Sequence, residues 1–105
     1  MDWFNRNKDI QAMVNMSNQK PHLTLYGRWS CPYCVRVYRI ITSLGLEERI
    51  ENRKTTIGSK WRRDLKSRTG KTQVPCLFID GQAMFESLDI IAWLQENESR
   101  IKPPS

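Results

Sequence analysis

The hydrophobic and polar positions of the chain form short alternating stretches and longer stretches with a helical period. Residues 22–26 alternate between polar and apolar side chains, which predicts a first β-strand. From Pro32 onward, apolar residues recur at steps of three and four, at Cys34, Val37, Tyr38, Ile41 and Leu44. This spacing predicts a helix. The helix is expected to end at Gly45, with Leu46 as the usual hydrophobic partner of such a cap.

The middle of the chain predicts a weak strand and a short helix. Residues 48–53 are polar apart from Ile50, which is typical of a strand at the edge of a sheet. Gly58–Ser59 has the pattern of a helix N-cap, and we expect a helix from there through Ser67, stopped by Gly70. Strand, helix and strand in this order predict a parallel βαβ unit.

The last third predicts a hairpin and a final helix. Residues 74–79 and 82–85 are largely apolar, and Asp80–Gly81 between them is typical of a two-residue hairpin turn. Apolar residues at helical spacing then follow Ser87, which suits an N-cap. The full order is therefore βαβα followed by ββα.

The two ends of the chain fall outside this order. Residues 1–21 carry apolar side chains at an imperfect helical spacing and then a polar stretch, so we expect either an extra N-terminal helix with a linker or a leader without fixed structure. Residues 22–99 are predicted to be the domain itself. Residues 100–105 contain two prolines and are predicted to be a tail. A chain of 105 residues fits one domain.

The composition predicts the class of protein and its cellular compartment. The chain is 39% hydrophobic and 27% charged, as in soluble globular proteins. Neither a membrane-spanning apolar run nor a signal peptide is evident, so we expect no membrane association and a cytoplasmic location. Three cysteines, an odd number, also argue against a secreted fold held by disulfides.

The net charge of +6 comes largely from one part of the chain. The basic residues concentrated there are Arg49, Arg53, Lys54, Lys60, Arg62, Arg63, Lys66, Arg68 and Lys71. No nucleic-acid recognition pattern accompanies them, so no nucleic-acid partner is predicted. Attraction of a small anionic substrate or an acidic protein stays open, beside the simpler interpretation of a solvated surface.

Two thiols stand where the first strand gives way to the first helix. Cys31 and Cys34 have the spacing C-x-x-C, and Pro32 suits the first helical position. Cys31 then lies near the N-cap, where unpaired N–H groups and the helix dipole favour a thiolate, and Arg28 adds positive potential. Cys34, one turn further on, is predicted to be buried, less acidic and within reach of Cys31.

This arrangement predicts thiol–disulfide exchange. Cys31 would attack a disulfide to form a mixed disulfide, which Cys34 or an outside thiol would then release. Zinc usually takes four ligands, and beyond this pair the chain offers only Cys76 and His22, so no metal site is predicted. A static disulfide remains the alternative. Cys76 is expected to be a buried core residue.

The element order with C-x-x-C after the first strand resembles the thioredoxin fold, an α/β fold with a four-stranded mixed sheet flanked by helices. Within it, Cys31–Pro32–Tyr33–Cys34 resembles the active site of dithiol glutaredoxins. That resemblance implies a cis proline in Val74–Pro75, lying against the cysteines, with the backbone of Val74 pairing with the cysteine of glutathione. It also implies glutathione-binding roles for Arg28, Tyr33 and Arg62, the last toward the glycine carboxylate.

Residues 84–89 depart from the glutaredoxin pattern, which usually has Gly-Gly before the last helix. They resemble instead the N-terminal domain of glutathione transferases, in which Glu-Ser holds the γ-glutamyl group. Ser87 with a helix N-terminus can bind a carboxylate, and Glu86 can bind an ammonium group. Both resemblances imply glutathione as the co-substrate.

These observations predict a monomeric, glutathione-dependent oxidoreductase acting on glutathione mixed disulfides and on disulfide-containing or glutathionylated proteins. One alternative is an iron–sulfur cluster protein in which two chains bind the cluster through Cys31 and glutathione. Cys34 argues against it, because a resolving thiol competes for the ligand. Another is a transferase-like domain without its helical partner, in which both cysteines are incidental.

Overall fold

The computed structural model describes residues 20–102, which form one four-stranded sheet with helices on both faces. The elements are β1 (Leu23–Gly27), α1 (Pro32–Leu44), β2 (Ile50–Lys54), α2 (Lys60–Thr69), β3 (Cys76–Ile79), β4 (Gln82–Met84), α3 (Ser87–Glu96) and α4 (Glu98–Ile101). A 3-10 turn precedes β2. The predicted order is confirmed through α3. None of the helices in this part of the chain is long and apolar enough to cross a membrane.

The strands are arranged in the order β2-β1-β3-β4. The β1–β2 pair is parallel, as predicted, and the other two pairs are antiparallel. The edge position predicted for β2 is confirmed. The register aligns Gly27 with Lys54, Tyr26 with Cys76 and Leu77 with Met84. The C-terminal ends of β1, β2 and β4 and the start of β3 therefore lie at the same end of the sheet.

Each face of the sheet has its own core. Leu23 and Leu25 of β1 point toward α1, α3 and α4, whereas Tyr26 points toward α2. The larger core includes Leu25, Val37, Ile41, Leu77, Ile90 and Leu94. The smaller core contains Tyr26, Leu65, Cys76 and Phe78, and it confirms the buried position expected for Cys76.

Helix boundaries agree with the prediction where glycine ends a helix. Gly45 and Gly70 both adopt the left-handed conformation and cap α1 and α2, although α2 continues two residues beyond the predicted Ser67. The prediction for α3 was wrong by one residue. Glu86 takes the extended cap conformation and its carbonyl accepts from the N–H of Ile90, so Ser87 is the first helical residue.

The C-terminal boundary also differs from the prediction. Residues 98–101 form α4, and Ile101 is buried in the larger core. The domain therefore extends beyond residue 99, because one apolar side chain anchors the segment that was expected to be a tail. The predicted extra helix or leader within residues 1–19 lies outside the described residues, as do residues 103–105.

Candidate active site

The reactive end of the domain is the N-terminus of α1. Cys31 is the N-cap residue, as predicted, and its sulfur accepts a hydrogen bond from the backbone N–H of Cys34 at 3.3 Å. The N–H of Cys31 donates to the carbonyl of Arg28 at 3.2 Å, which fixes the turn that joins β1 to the helix. Cys31 is 8% exposed and Cys34 is fully buried. Of the two cysteines, only Cys31 therefore keeps any exposed surface.

Burial makes Cys34 the weaker acid that the sequence predicted. Its surroundings raise the pKa of Cys34 to about 12, chiefly through burial and also through a hydrogen bond with Cys31. A backbone hydrogen bond at Arg28 opposes this rise only in part. Cys34 is consequently a thiol, and not a thiolate, at neutral pH. Both cysteines are free thiols in this structure.

The segment before β3 completes the surroundings of Cys31. The Val74–Pro75 peptide bond is cis, as the family resemblance implied. The Cys31 sulfur lies 3.9 Å from the carbonyl oxygen of Val74, within the long range of hydrogen bonds to sulfur. The backbone next to the proline therefore lies beside the reactive sulfur.

A cavity with a basic lining includes residues of the turn that precedes Cys31. It measures about 420 Å³ and is lined by Arg28, Ser30, Thr56, Ile57 and Arg62. The two arginines predicted to contact glutathione are thus brought together from different elements. Ser59 caps α2 by accepting a hydrogen bond from the N–H of Arg62 at 3.1 Å. This hydrogen bond fixes the backbone position of Arg62 in the first turn of the helix. The charge and size of the cavity suit a small anionic ligand.

Tyr33, Glu86 and Ser87, which the family resemblances implied as glutathione contacts, lie outside this cavity. Tyr33 is exposed on the first turn of α1, beside Cys31. Glu86 and Ser87 follow β4 at the same end of the sheet, at the N-terminus of α3. Neither residue lines the cavity that contains Arg28 and Arg62. His22 lies at the opposite end of β1, and its N–H donates to Asp80. Within residues 20–102, no three His, Cys, Asp or Glu side chains are grouped as a metal site.

Three residues at this end of the sheet, Gly27, Tyr38 and Lys54, were not predicted to have a role in the site. A Cβ atom on Gly27 would lie only 2.5 Å from the Tyr38 hydroxyl and 3.2 Å from the Cys34 sulfur. The ammonium group of Lys54 lies 4.7 Å from the centre of the Tyr38 ring. Gly27 lies one residue beyond the predicted strand of residues 22–26, so the sequence pattern gives no signal for its close approach. The sequence pattern marks Tyr38 only as an apolar position of α1.

Comparison with known proteins identifies the family. Residues 25–103 match the family model described as the glutathione S-transferase N-terminal domain. The chain belongs to this family. It is also 30% identical to glutaredoxin 1 of Escherichia coli K12 over 84 residues, covering 70% of this chain and 92% of that protein. The predicted relationship to glutaredoxins and glutathione transferases is therefore confirmed.

Longer relatives contain the domain as one part. A probable maleylacetoacetate isomerase of Caenorhabditis elegans is 35% identical over 81 residues, which are 77% of this chain and 36% of the isomerase. Among solved structures, glutathione transferase Omega 3C of Trametes versicolor has a TM-score of 0.64 and 25% identity, covering 88% of this chain and 41% of the transferase. The chain thus spans about two fifths or less of these two proteins. The predicted thioredoxin-like fold is confirmed.

Proposed function

We propose that this domain is a glutathione-dependent thiol–disulfide oxidoreductase that reduces glutathione mixed disulfides and protein disulfides through Cys31. The observation that carries the proposal is the pair of thiols at the start of α1, one slightly exposed at the N-cap and one fully buried a turn behind it. Glutathione is the co-substrate of this family of domains, and the glutaredoxin relative matches over most of its length.

In the first step, the Cys31 thiolate attacks the glutathione sulfur of a mixed disulfide, and the protein thiolate leaves with the bonding electron pair. A second glutathione thiolate then attacks the same glutathione sulfur, which frees Cys31 and yields oxidised glutathione. The hydrogen bond from the backbone N–H of Cys34 at the start of α1 orients the Cys31 sulfur for this attack.

A protein disulfide takes a second route through Cys34. Cys31 first forms a mixed disulfide with the protein, and Cys34 then attacks Cys31 and releases the protein as a dithiol. Two glutathione molecules restore the Cys31–Cys34 pair. Because Cys34 is buried and weakly acidic, this route is expected to be the slower one.

The binding of glutathione follows from the charges around the thiols. The backbone of Val74 beside Cys31 suits the cysteine part of the tripeptide. Arg28 and Arg62 provide two cations for its glycine carboxylate. Glu86 and Ser87 at the start of α3 suit the γ-glutamyl end, through the ammonium group and the carboxylate respectively. Tyr33 would flank the bound tripeptide.

The family match also favours a second candidate, glutathione conjugation or isomerisation. The observations for it are the match of residues 25–103 to the transferase N-terminal domain and the 35% identity to the isomerase relative. In this case the two cysteines would be dispensable. Glutathione consumption with an aryl halide electrophile, compared between the native chain and Cys31→Ser, separates the two candidates.

The test of the leading proposal is a coupled assay that follows NADPH consumption by glutathione reductase in the presence of glutathione and a low-molecular-weight glutathione mixed disulfide. We expect activity in the native chain and in Cys34→Ser, and a loss of at least about 100-fold in Cys31→Ser, because only Cys31 forms the mixed disulfide. An inactive native chain, or an active Cys31→Ser protein, would refute the proposal.

A further inference from the structure

The Tyr38 hydroxyl is a buried polar group without a partner. Tyr38 is 8% exposed, and its oxygen is one of two buried side-chain N or O atoms in residues 20–102 that make no hydrogen bond. Leaving a buried hydroxyl unpaired costs stability, and such groups are uncommon in native proteins. This one lies next to the redox pair.

Its position is fixed on three sides. The hydroxyl and the Cys34 sulfur both border the small space above the Cα atom of Gly27, where even a methyl group would not fit. The Tyr38 ring contacts the ring of Trp29 with centroids 4.6 Å apart, and the Lys54 ammonium group covers the ring at 4.7 Å. The hydroxyl is therefore held toward the thiols and away from solvent.

The chemistry of the phenol suits a hydrogen-bond donor. Burial, and then the nearby Cys34 and Cys31 groups, raise the pKa of Tyr38 well above its ordinary value. The phenol therefore keeps its proton at neutral pH. The resolving step places negative charge on the Cys34 sulfur, which burial makes unfavourable. A fixed donor beside that sulfur would stabilise the charge where it develops.

We propose that the Tyr38 hydroxyl donates a hydrogen bond to the Cys34 sulfur when Cys34 attacks the mixed disulfide on Cys31. This inference rests on the proposed function. In the step, the Cys34 proton leaves to solvent, a bond forms between the two cysteine sulfurs, and the substrate sulfur departs with the electron pair as a thiolate. Tyr38 keeps its own proton throughout. Its contribution is therefore specific to the route through Cys34.

The experiment measures two release rates from one intermediate. Cys31 is loaded with a chromogenic aromatic thiol, and release of that thiol is followed in a single turnover, by Cys34 in the parent chain and by added glutathione in the Cys34→Ser background. We expect Tyr38→Phe to slow release by Cys34 about tenfold relative to release by glutathione, equivalent to about 1.4 kcal/mol. A purely structural role would change both rates together.

Tyr26→Phe is the matched control, because Tyr26 is a buried tyrosine on the other face of the sheet. We expect it to leave the ratio of the two rates unchanged. Tyr38→Leu is a second variant without the hydroxyl, in case Tyr38→Phe does not fold. An unchanged ratio in a folded Tyr38 variant would overturn this inference alone. Failure of the parent chain to form or release the mixed disulfide would overturn the proposed function instead.

Discussion

The two buried tyrosines on opposite faces of the sheet differ in how their hydroxyl groups are used. The Tyr26 hydroxyl, on the α2 face, donates to the carboxylate of Asp64 and accepts from the guanidinium of Arg53 at 2.7 Å. The Tyr38 hydroxyl, on the α1 face, has no partner. One face pairs its buried polar groups, and the other keeps a polar group free beside the thiols.

On the α2 face of the sheet, polar contacts compensate for the small apolar surface that α2 buries. Leu65 is the one buried residue of α2, whereas α1 buries four residues. Arg53 of the edge strand binds the carboxylates of Glu51 at 2.6 Å and Asp64 at 3.2 Å, and its guanidinium stacks on Trp61 at 4.2 Å. The contacts with Asp64 and Trp61 attach β2 to α2, where apolar burial alone is limited.

The largest expected effect comes from removing the carboxylate at the centre of this network. Asp64→Ala deprives Tyr26 and Arg53 of their shared acceptor, so we expect the free energy of unfolding to fall by about 2–3 kcal/mol, as for lost hydrogen bonds to charged groups. Urea unfolding measures it. Asp64→Asn, which keeps an acceptor oxygen, should lose less. A loss below about 0.5 kcal/mol in the alanine variant would show that the network does not stabilise α2.

Filling the space beside the free hydroxyl should have the next largest effect. Gly27→Ala places a methyl group against the Tyr38 hydroxyl and the Cys34 sulfur, so we expect a loss of about 1–2 kcal/mol from overpacking. Thermal and urea unfolding check the stability. Ala83→Ser, at an exposed position of β4, is the control, because it also adds one non-hydrogen atom to the side chain. Equal stability of the two variants would contradict the close packing at Gly27.

The direct contrast between the tyrosines is smaller. Tyr26→Phe removes a paired hydroxyl and should cost about 1 kcal/mol of unfolding free energy. Tyr38→Phe removes an unpaired one and should leave stability unchanged or slightly higher. Parallel urea titrations of the two variants give the comparison. Equal losses would mean that Tyr38 has a partner in solution after all.

The smallest expected effect is a dependence on pH. The hydrogen bond from Tyr26, together with Arg68 and Arg53, holds the pKa of Asp64 below its usual range. Its contribution to stability is therefore complete above the unfolded-state pKa of about 3.9 and is lost as the pH falls through the folded-state pKa. The difference in unfolding free energy between the native chain and Asp64→Asn should stay constant from pH 6 down to roughly pH 4 and should shrink below that pH. A constant difference would contradict this.

Local patterns explain why much of this arrangement was predictable. Cys31 at the N-cap, Gly45 and Gly70 as C-caps, and the parallel pairing of β1 and β2 all follow from neighbouring residues or from element order. Helix α4 was missed because a single apolar residue, Ile101, anchors it. A four-residue segment with one apolar position carries no periodic signal.

The polar side-chain contacts could not be predicted, because they join residues that are distant along the chain. Tyr26, Arg53 and Asp64 lie on three different elements, and only the folded register brings them together. The approach of Tyr38 to Gly27 likewise depends on how α1 crosses the end of β1. The family resemblance supplied the positions expected to contact glutathione, but it gave no indication of the free hydroxyl.

Locating glutathione on the protein tests whether Cys31 is the glutathione-reactive thiol. The Cys34→Ser chain is incubated with oxidised glutathione under non-reducing conditions, and the adduct is mapped by peptide mass spectrometry. We expect one glutathione per chain, on Cys31, with buried Cys76 unmodified because its raised pKa of about 11 and its inaccessibility prevent reaction. No adduct on Cys31, or modification at Cys76 alone, would contradict the assignment of Cys31 as the glutathione-reactive thiol.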